Sequence, residues 1–495
     1  MHNIQTRNIF VFSAIGSLGL ILLALTICFP LSFYGLLPLF VIAATVLITF
    51  GSLRYGIYGP LYFLMILIPY SQSVTIFNIT GREVNVGMHT TVVCLIILIM
   101  IIVKRFRIPI IKEPPTSVLF LLGLWTFLTI VVAIISRSGL SISNSIVTWI
   151  RWIQFIPIVY FITSFDIDTK YIKNFVKIFI WLGIITAFWG IIEVATHTDL
   201  EARAFRGAVT FTRPLFRELD LASSFGDNGF YRGSANYNVS GAFMVIVTFI
   251  TLPFLRTRVF FNTRIISFLL ILLLLVGIAV TKSRSSVLAF IGGIAFYAYS
   301  YSAKKFLNVM FAFLVVVIVF FTFFSNYWLG PMIIDTIDKL PDAMSIVKLG
   351  EPWNSSMGFN MNVYGAAMRW VAIKEAFRIF LDSPIFGVGF FGFSSASILG
   401  TSENFYMQFL SETGIIGFGL LMMYFYYVWD KTKTKFLKGS FEDNYQIGFR
   451  SVFIVFLIVN FTGTLMYDTR IWGLLLILSA IQIYNVKKHK FIDIK

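Results

Sequence analysis

What most constrains this chain is the recurrence of apolar runs, with few charges in them, long enough to cross a bilayer. A helix rises 1.5 Å per residue, so about 20 apolar residues cover the ~30 Å hydrocarbon core. Such runs fall near residues 8–29, 31–50, 55–72, 89–103, 117–135, 144–163, 174–195, 236–255, 265–281, 285–302, 306–328, 411–429, 447–466 and 471–486. No soluble-domain interval separates them, and only 13% of the 495 residues are charged, far below the proportion in a soluble chain. The expected fold class is therefore all-α, a single polytopic membrane helical bundle over residues 1–495 with about 14 transmembrane helices.

The net charge of +16 would raise the question of nucleic acid in a soluble protein. Here the cations sit in short clusters between apolar runs, without a basic-aromatic module, so no nucleic-acid partner is expected. Arg54, the Lys104 to Lys112 cluster, Lys170 and Lys173, Arg256 to Arg264, Lys304 and Lys305, Lys431 to Lys438, and Lys487 to Lys490 all fall on one side of the membrane. By the positive-inside bias that side and both termini are cytoplasmic. The first run follows a start without a small-residue cleavage site, which reads as a retained helix. Cys28 and Cys94 lie inside apolar runs, so no disulfide framework is available. The four histidines are scattered, with no HExxH and no Walker loop. Neither a metal nor another cofactor is expected.

Two outward loops stand out by length, 196–235 and 329–410, and loops this long between helices point to function. In the second, Trp370, Ile373, Phe377, Phe380 and Leu381 recur at helical spacing while Glu375 and Arg378 face away, which predicts an amphipathic helix near 366–381. Such a helix suits the outer membrane interface or an ordinary packed position, and Asp382-Ser383-Pro384 ends it.

Cations gather where they are normally rare. The first outward loop holds Arg203, Arg206, Arg213, Arg217 and Arg232, whose guanidinium forks suit phosphate oxygens or simply a solvated surface. Arg284 lies with Lys282 among small hydroxyl residues between two spans, where a lipid headgroup or a functional anion would satisfy it. Arg151, between Trp149 and Trp152, reads as a stacking or snorkelling residue. Gly387, Gly389 and Gly392 have GxGxxG spacing, but they follow a helix rather than a strand, so they read as a turn or a close backbone approach to a ligand. Glu403 and Asn404 open a span. A carboxylate in an apolar cavity there could take a proton from a hydroxyl, and the same residue types equally suit a helix first turn.

Four stretches together resemble the O-antigen ligase and O-antigen polymerase superfamily of bacterial envelope glycosyltransferases. They are Arg232 to Gly241, Ser283-Arg284, Arg369 through Pro384 to Gly389, and Glu403 to Gly417. Ligases of this kind carry a histidine before the asparagine that matches Asn404, and this chain has Glu403 there, which favours the polymerase. The resemblance implies a metal-independent, inverting transferase that uses a polyprenyl-pyrophosphate-linked oligosaccharide within the inner (cytoplasmic) membrane, alongside membrane lipid and possible flippase and chain-length regulator partners. It implies Arg232 and Arg284 as a pyrophosphate clamp and Glu403 as the base, with Arg369, Arg213, Arg206, Asn404 and Lys282 binding substrate. A ligase acting on lipid A core or protein, and a lipid-linked sugar flippase, are the alternatives.

Overall fold

The computed structural model describes residues 73–79, 82–87, 113–136, 142–164, 169–196, 237–257, 264–281, 283–301, 365–397, 402 and 404–493. The spans expected near 8–29, 31–50, 55–72, 89–103 and 306–328 lie outside the described residues, as do nearly all of the first outward loop and about half of the second.

Helices carry almost all of the described chain: α1 (Pro114–Ser136), α2 (Ile142–Ile153), α3 (Ile156–Ser164), α4 (Thr169–Thr196), α5 (Tyr237–Thr257), α6 (Arg264–Val280), α7 (Arg284–Tyr301), α8 (Gly365–Asp382), the single turn α9 (Phe393–Ala396), α10 (Phe405–Lys431), α11 (Phe441–Phe461) and α12 (Thr469–Asp493). Four contain stretches long and apolar enough to cross a membrane, Pro114–Ser136, Thr169–Phe188, Phe405–Lys431 and Phe441–Phe461. One feature departs from the expected all-α class. Ser73–Ile79 and Arg82–Gly87 pair as an antiparallel hairpin, Ile79 opposite Arg82, where Val74, Thr75, Ile76, Phe77 and Ile79 favour strand over helix.

The span expected at 144–163 is two helices rather than one. Pro157 has no N–H to offer the Ile153 carbonyl, so the ladder cannot run through. The Gln154 N–H still reaches Ile150 at 3.0 Å, and Ile158 then starts a new series on Phe155 at 3.1 Å. Arg151 sits just before this break, with its Nε and Nη2 buried and without a hydrogen-bond partner among the described residues. The neighbouring rings are engaged elsewhere: Trp149 with Phe127, and Trp152 stacked 4.6 Å from Trp472.

At the centre, the residues of α12 from Ile471 to Val486 are all buried, most of them apolar with Ser479, Gln482 and Asn485 among them, which is the pattern of a helix enclosed by others. It packs on α3 and α11, while α11 packs on α5 and α7, and α10 on α1. Small residues allow the close contacts. A Cβ on Gly292 would collide with Ile458, and one on Gly293 with Phe249 and Val455. These pairings make α7 antiparallel to α11, so the start of α7 and the end of α11 share one end of the bundle.

Helix α8 presents a different face to the bundle from the one its large residues suggest. Ala376 and Ile379 are buried against Val388 and Phe393, and Ala372 is buried too, whereas Phe377 and Leu381 remain exposed. Alanine allows α8 to lie close to its support, and the larger rings are left outward. On the exposed side Arg378 bridges Glu375 at 2.7 Å and Asp382 at 3.1 Å.

Candidate active site at one end of the bundle

Gly414 opens helix α10 about two turns after its start, at φ 66° and ψ −174°, a conformation that glycine adopts at little cost. The opening releases backbone groups, and the segment after α8 takes them up. Val388 and Gly389 donate N–H bonds to the Ser411 and Glu412 carbonyls at 2.9 and 3.0 Å, and the Ile415 N–H donates to the Pro384 carbonyl at 2.9 Å. The two backbones lie so close that a Cβ on Gly414 would strike the Ile385 carbonyl, and one on Gly387 the carbonyl of Glu412. Gly387 and Gly389 have φ of 69° and 94°. These two glycines of the GxGxxG spacing therefore approach the chain's own backbone.

Beneath this junction lies Glu412, 1% exposed. Its carboxylate accepts four hydrogen bonds: from the Phe391 N–H at 2.9 Å, the Phe393 N–H at 3.3 Å, Gln408 Nε2 at 3.1 Å and the Tyr467 hydroxyl at 2.6 Å. Burial, and after it the charge and hydrogen bond of Glu412, push the Tyr467 phenol well above its ordinary pKa, so it remains a donor. A buried acid with this many donors is satisfied without a cation.

About two turns earlier, Asn404 caps α10. Its Oδ1 accepts from the Met407 N–H at 3.1 Å and its Nδ2 donates to the Phe461 carbonyl at 3.0 Å, so both ends of the amide are engaged. The cap is worth about 1 kcal/mol. The Phe405 N–H donates to the Gly463 carbonyl at 3.1 Å, tying the start of α10 to the end of α11. Ser402 is held twice, by its hydroxyl donating to the Asn404 carbonyl at 2.6 Å and by its N–H donating to Gln408 Oε1 at 3.2 Å. Glu403, between these anchored neighbours, lies outside the described residues.

Arg284 is the first residue of α7. Ser283 caps that helix, its Oγ accepting the Ser286 N–H at 3.3 Å and the Ser286 hydroxyl at 2.8 Å. Helix α5 abuts this turn so closely that a Cβ on Gly241 would collide with the Ser286 hydroxyl and with Thr281. Arg369 lies in the second turn of α8. The side chains of Arg284 and Arg369 lie outside the described residues, as do Arg206, Arg213, Arg232 and Lys282 altogether.

The four motif stretches thus come together in pairs. The described end of the first, Tyr237 to Gly241, meets the 281–286 turn, and the third is bonded to the fourth through Val388 and Ser411. Both pairs lie at the end of the bundle where α7 begins and α11 finishes. The start of α7 is roughly 12 Å beyond the Gly292–Ile458 contact. Chemically, that end combines a helix start led by arginine, which favours an anion, with the hydrogen-bonded residues Ser402 and Asn404.

Sequence reasoning singles out Glu403, groups Asn404 and Gln408 with it, and passes over Glu412 and Tyr467. A signal for Glu412 was present, because an acid inside an apolar span needs partners. Tyr467 offered none. No curated protein matches the chain. Residues 268–422, running from α6 through the opened part of α10, match the family model described as O-antigen ligase, and this match supports the likeness to the O-antigen polymerase and ligase superfamily.

Proposed function

We propose that the protein is a membrane glycosyltransferase that polymerises oligosaccharide repeat units carried on polyprenyl pyrophosphate, at the outer face of the cytoplasmic membrane. The observation that supports this reading is the pairing of residues 237–241 with the turn at 281–286, and of residues 384–389 with 411–415, at one end of an apolar helical bundle. Arg284 and Arg232, with Arg369, clamp the pyrophosphate, and Arg206, Arg213 and Lys282 add positive charge around it. Glu403 acts as base. The acceptor hydroxyl attacks the anomeric carbon and its proton passes to the Glu403 carboxylate. The bond from that carbon to the pyrophosphate oxygen breaks, and the electron pair leaves with the lipid-linked pyrophosphate. One displacement through an oxocarbenium-like state inverts the configuration. The leaving group brings its own activation, so the chain's task is to stabilise developing charge and to place the hydroxyl.

The ligase reading is favoured by the description of the matching family, and the polymerase reading by the glutamate at position 403. Incubating purified protein with lipid-linked repeat units alone distinguishes them. A polymerase yields a ladder of products. Product that appears only after lipid A core or a protein acceptor is added makes the protein a ligase, and movement of donor across a vesicle without product makes it a flippase.

A further inference from the structure

We infer that Glu412 is a positioning residue for this site, acting through Gln408 on the peptide that carries position 403; the inference rests on Glu403 being the base. The Gln408 amide has two different ends, and a carboxylate can only accept. With Nε2 donating to Glu412, Oε1 is turned toward the Ser402 N–H. Glu412 therefore decides which way the amide faces, and the amide fixes the residue before position 403. The residue after it is fixed by the Asn404 cap.

The other three donors to Glu412 come from two separate segments. Phe391 and Phe393 lie on the loop after α8, and Tyr467 on the turn between α11 and α12. Phe391 is a non-glycine residue at φ 65°, a sparsely populated conformation that persists only where its surroundings hold it. The bond from its own N–H to Glu412 is one such restraint. A single buried carboxylate thus registers the loop after α8, the turn before α12 and the start of α10 against one another. A base must sit within hydrogen-bonding reach of its proton, so this registration bears on the rate of the chemical step rather than on donor binding.

The substitution Glu412→Gln keeps the shape but exchanges one acceptor for an NH2 group that faces donors. Gln408→Met keeps the length of residue 408 and removes both ends of the relay. In nanodiscs with lipid-linked repeat units, each should lower kcat by on the order of 100-fold, the cost of misplacement by ~1 Å, with the donor KM little changed. Amide exchange at Ser402 should quicken by about tenfold or more in both variants, with the amides in the middle of α11 unchanged. In a Glu403→Gln background, Gln408→Met should lower turnover by less than about twofold further, because both act on one group. Wild-type kcat in Gln408→Met, or losses that multiply with that of Glu403→Gln, would overturn the inference. If the unaltered protein makes no product from any lipid-linked donor, the proposed function falls by itself. The exchange measurement then still decides the positioning role, and unchanged exchange at Ser402 in both variants sinks it.

Discussion

The two ends of helix α10 are held in opposite ways. At its start the helix is opened at Gly414, its carbonyls bond a segment from outside the helix, and one buried carboxylate gathers four donors. At its finish the helix closes regularly onto Thr432, and its charges form partly exposed pairs, Lys431 with Glu113 at 3.5 Å and Lys433 with Asp430 at 3.0 Å. The next helix begins with an ordinary serine cap, Ser440 accepting the Asp443 N–H at 3.1 Å. Water and salt weaken the bonds at the finish, whereas the start is built from backbone contacts shielded from both. The difference suggests that the start of α10 is the end held to a fixed geometry, which chemistry requires and simple anchoring does not.

The sharpest way to break this comparison is to remove the charge at the start of α7. Arg284→Ala should abolish polymer formation while the protein inserts normally, and Arg284→Lys should restore it only in part, since an ammonium lacks the planar fork. Full activity in Arg284→Ala would leave the helix start without a functional anion. Next in size, Glu403→Gln should lower turnover by roughly 100-fold or more with donor binding little changed, the usual share of a general base. Near-normal turnover would sink the base assignment and leave Glu403 as a residue that glutamine replaces at little cost.

Gly414→Ala tests the packing itself. The substitution places a methyl group against the Ile385 carbonyl and holds alanine at φ 66°, so it combines a steric clash with a conformation that alanine disfavours. The expected loss is about 2–4 kcal/mol, read as a lowered Tm in detergent or nanodiscs. A variant as stable as the parent would mean that the opened helix can close without consequence.

Much of the bundle could be read from the sequence because apolar length has a direct geometric meaning. The runs near 236–255, 265–281 and 285–302 coincide closely with α5, α6 and α7. The pattern failed where a local rule overrode it. Pro157 split one expected span; the helix expected near 366–381 runs over Gly365–Asp382, with small alanines on its buried face and Phe377 and Leu381 left outward. Within the site, the legible residues were those with a charge in an unusual place, such as Arg284. Gln408 was visible only as a polar residue in a helix first turn, since its role depends on Glu412 four residues on and on Ser402 six residues back. Tyr467 lies 55 residues from Glu412, and no spacing rule connects a turn before one helix to the interior of another.

The smallest expected effect is at the other end of α10, and it sets the scale for the rest. Lys431→Met removes the ammonium that faces Glu113 across 3.5 Å, where the two side chains are 20% and 26% exposed. Met keeps most of the aliphatic stem, and the Lys431 carbonyl, which accepts from Gln482 Nε2 at 3.2 Å, is untouched. What is lost is one water-screened attraction, worth at most about 1 kcal/mol, together with a favourable charge in the last turn of the helix, worth about 0.3–1 kcal/mol. Both terms weaken with salt. The Tm difference between Lys431→Met and the parent should therefore be small and shrink further at high ionic strength, while that of Gly414→Ala, which has no ionic component, should persist. If Lys431→Met proved the more damaging of the two, or if the Gly414→Ala loss vanished in salt, the contrast between the ends of α10 would be reversed, and the fixed geometry would have to be sought at the finish of the helix.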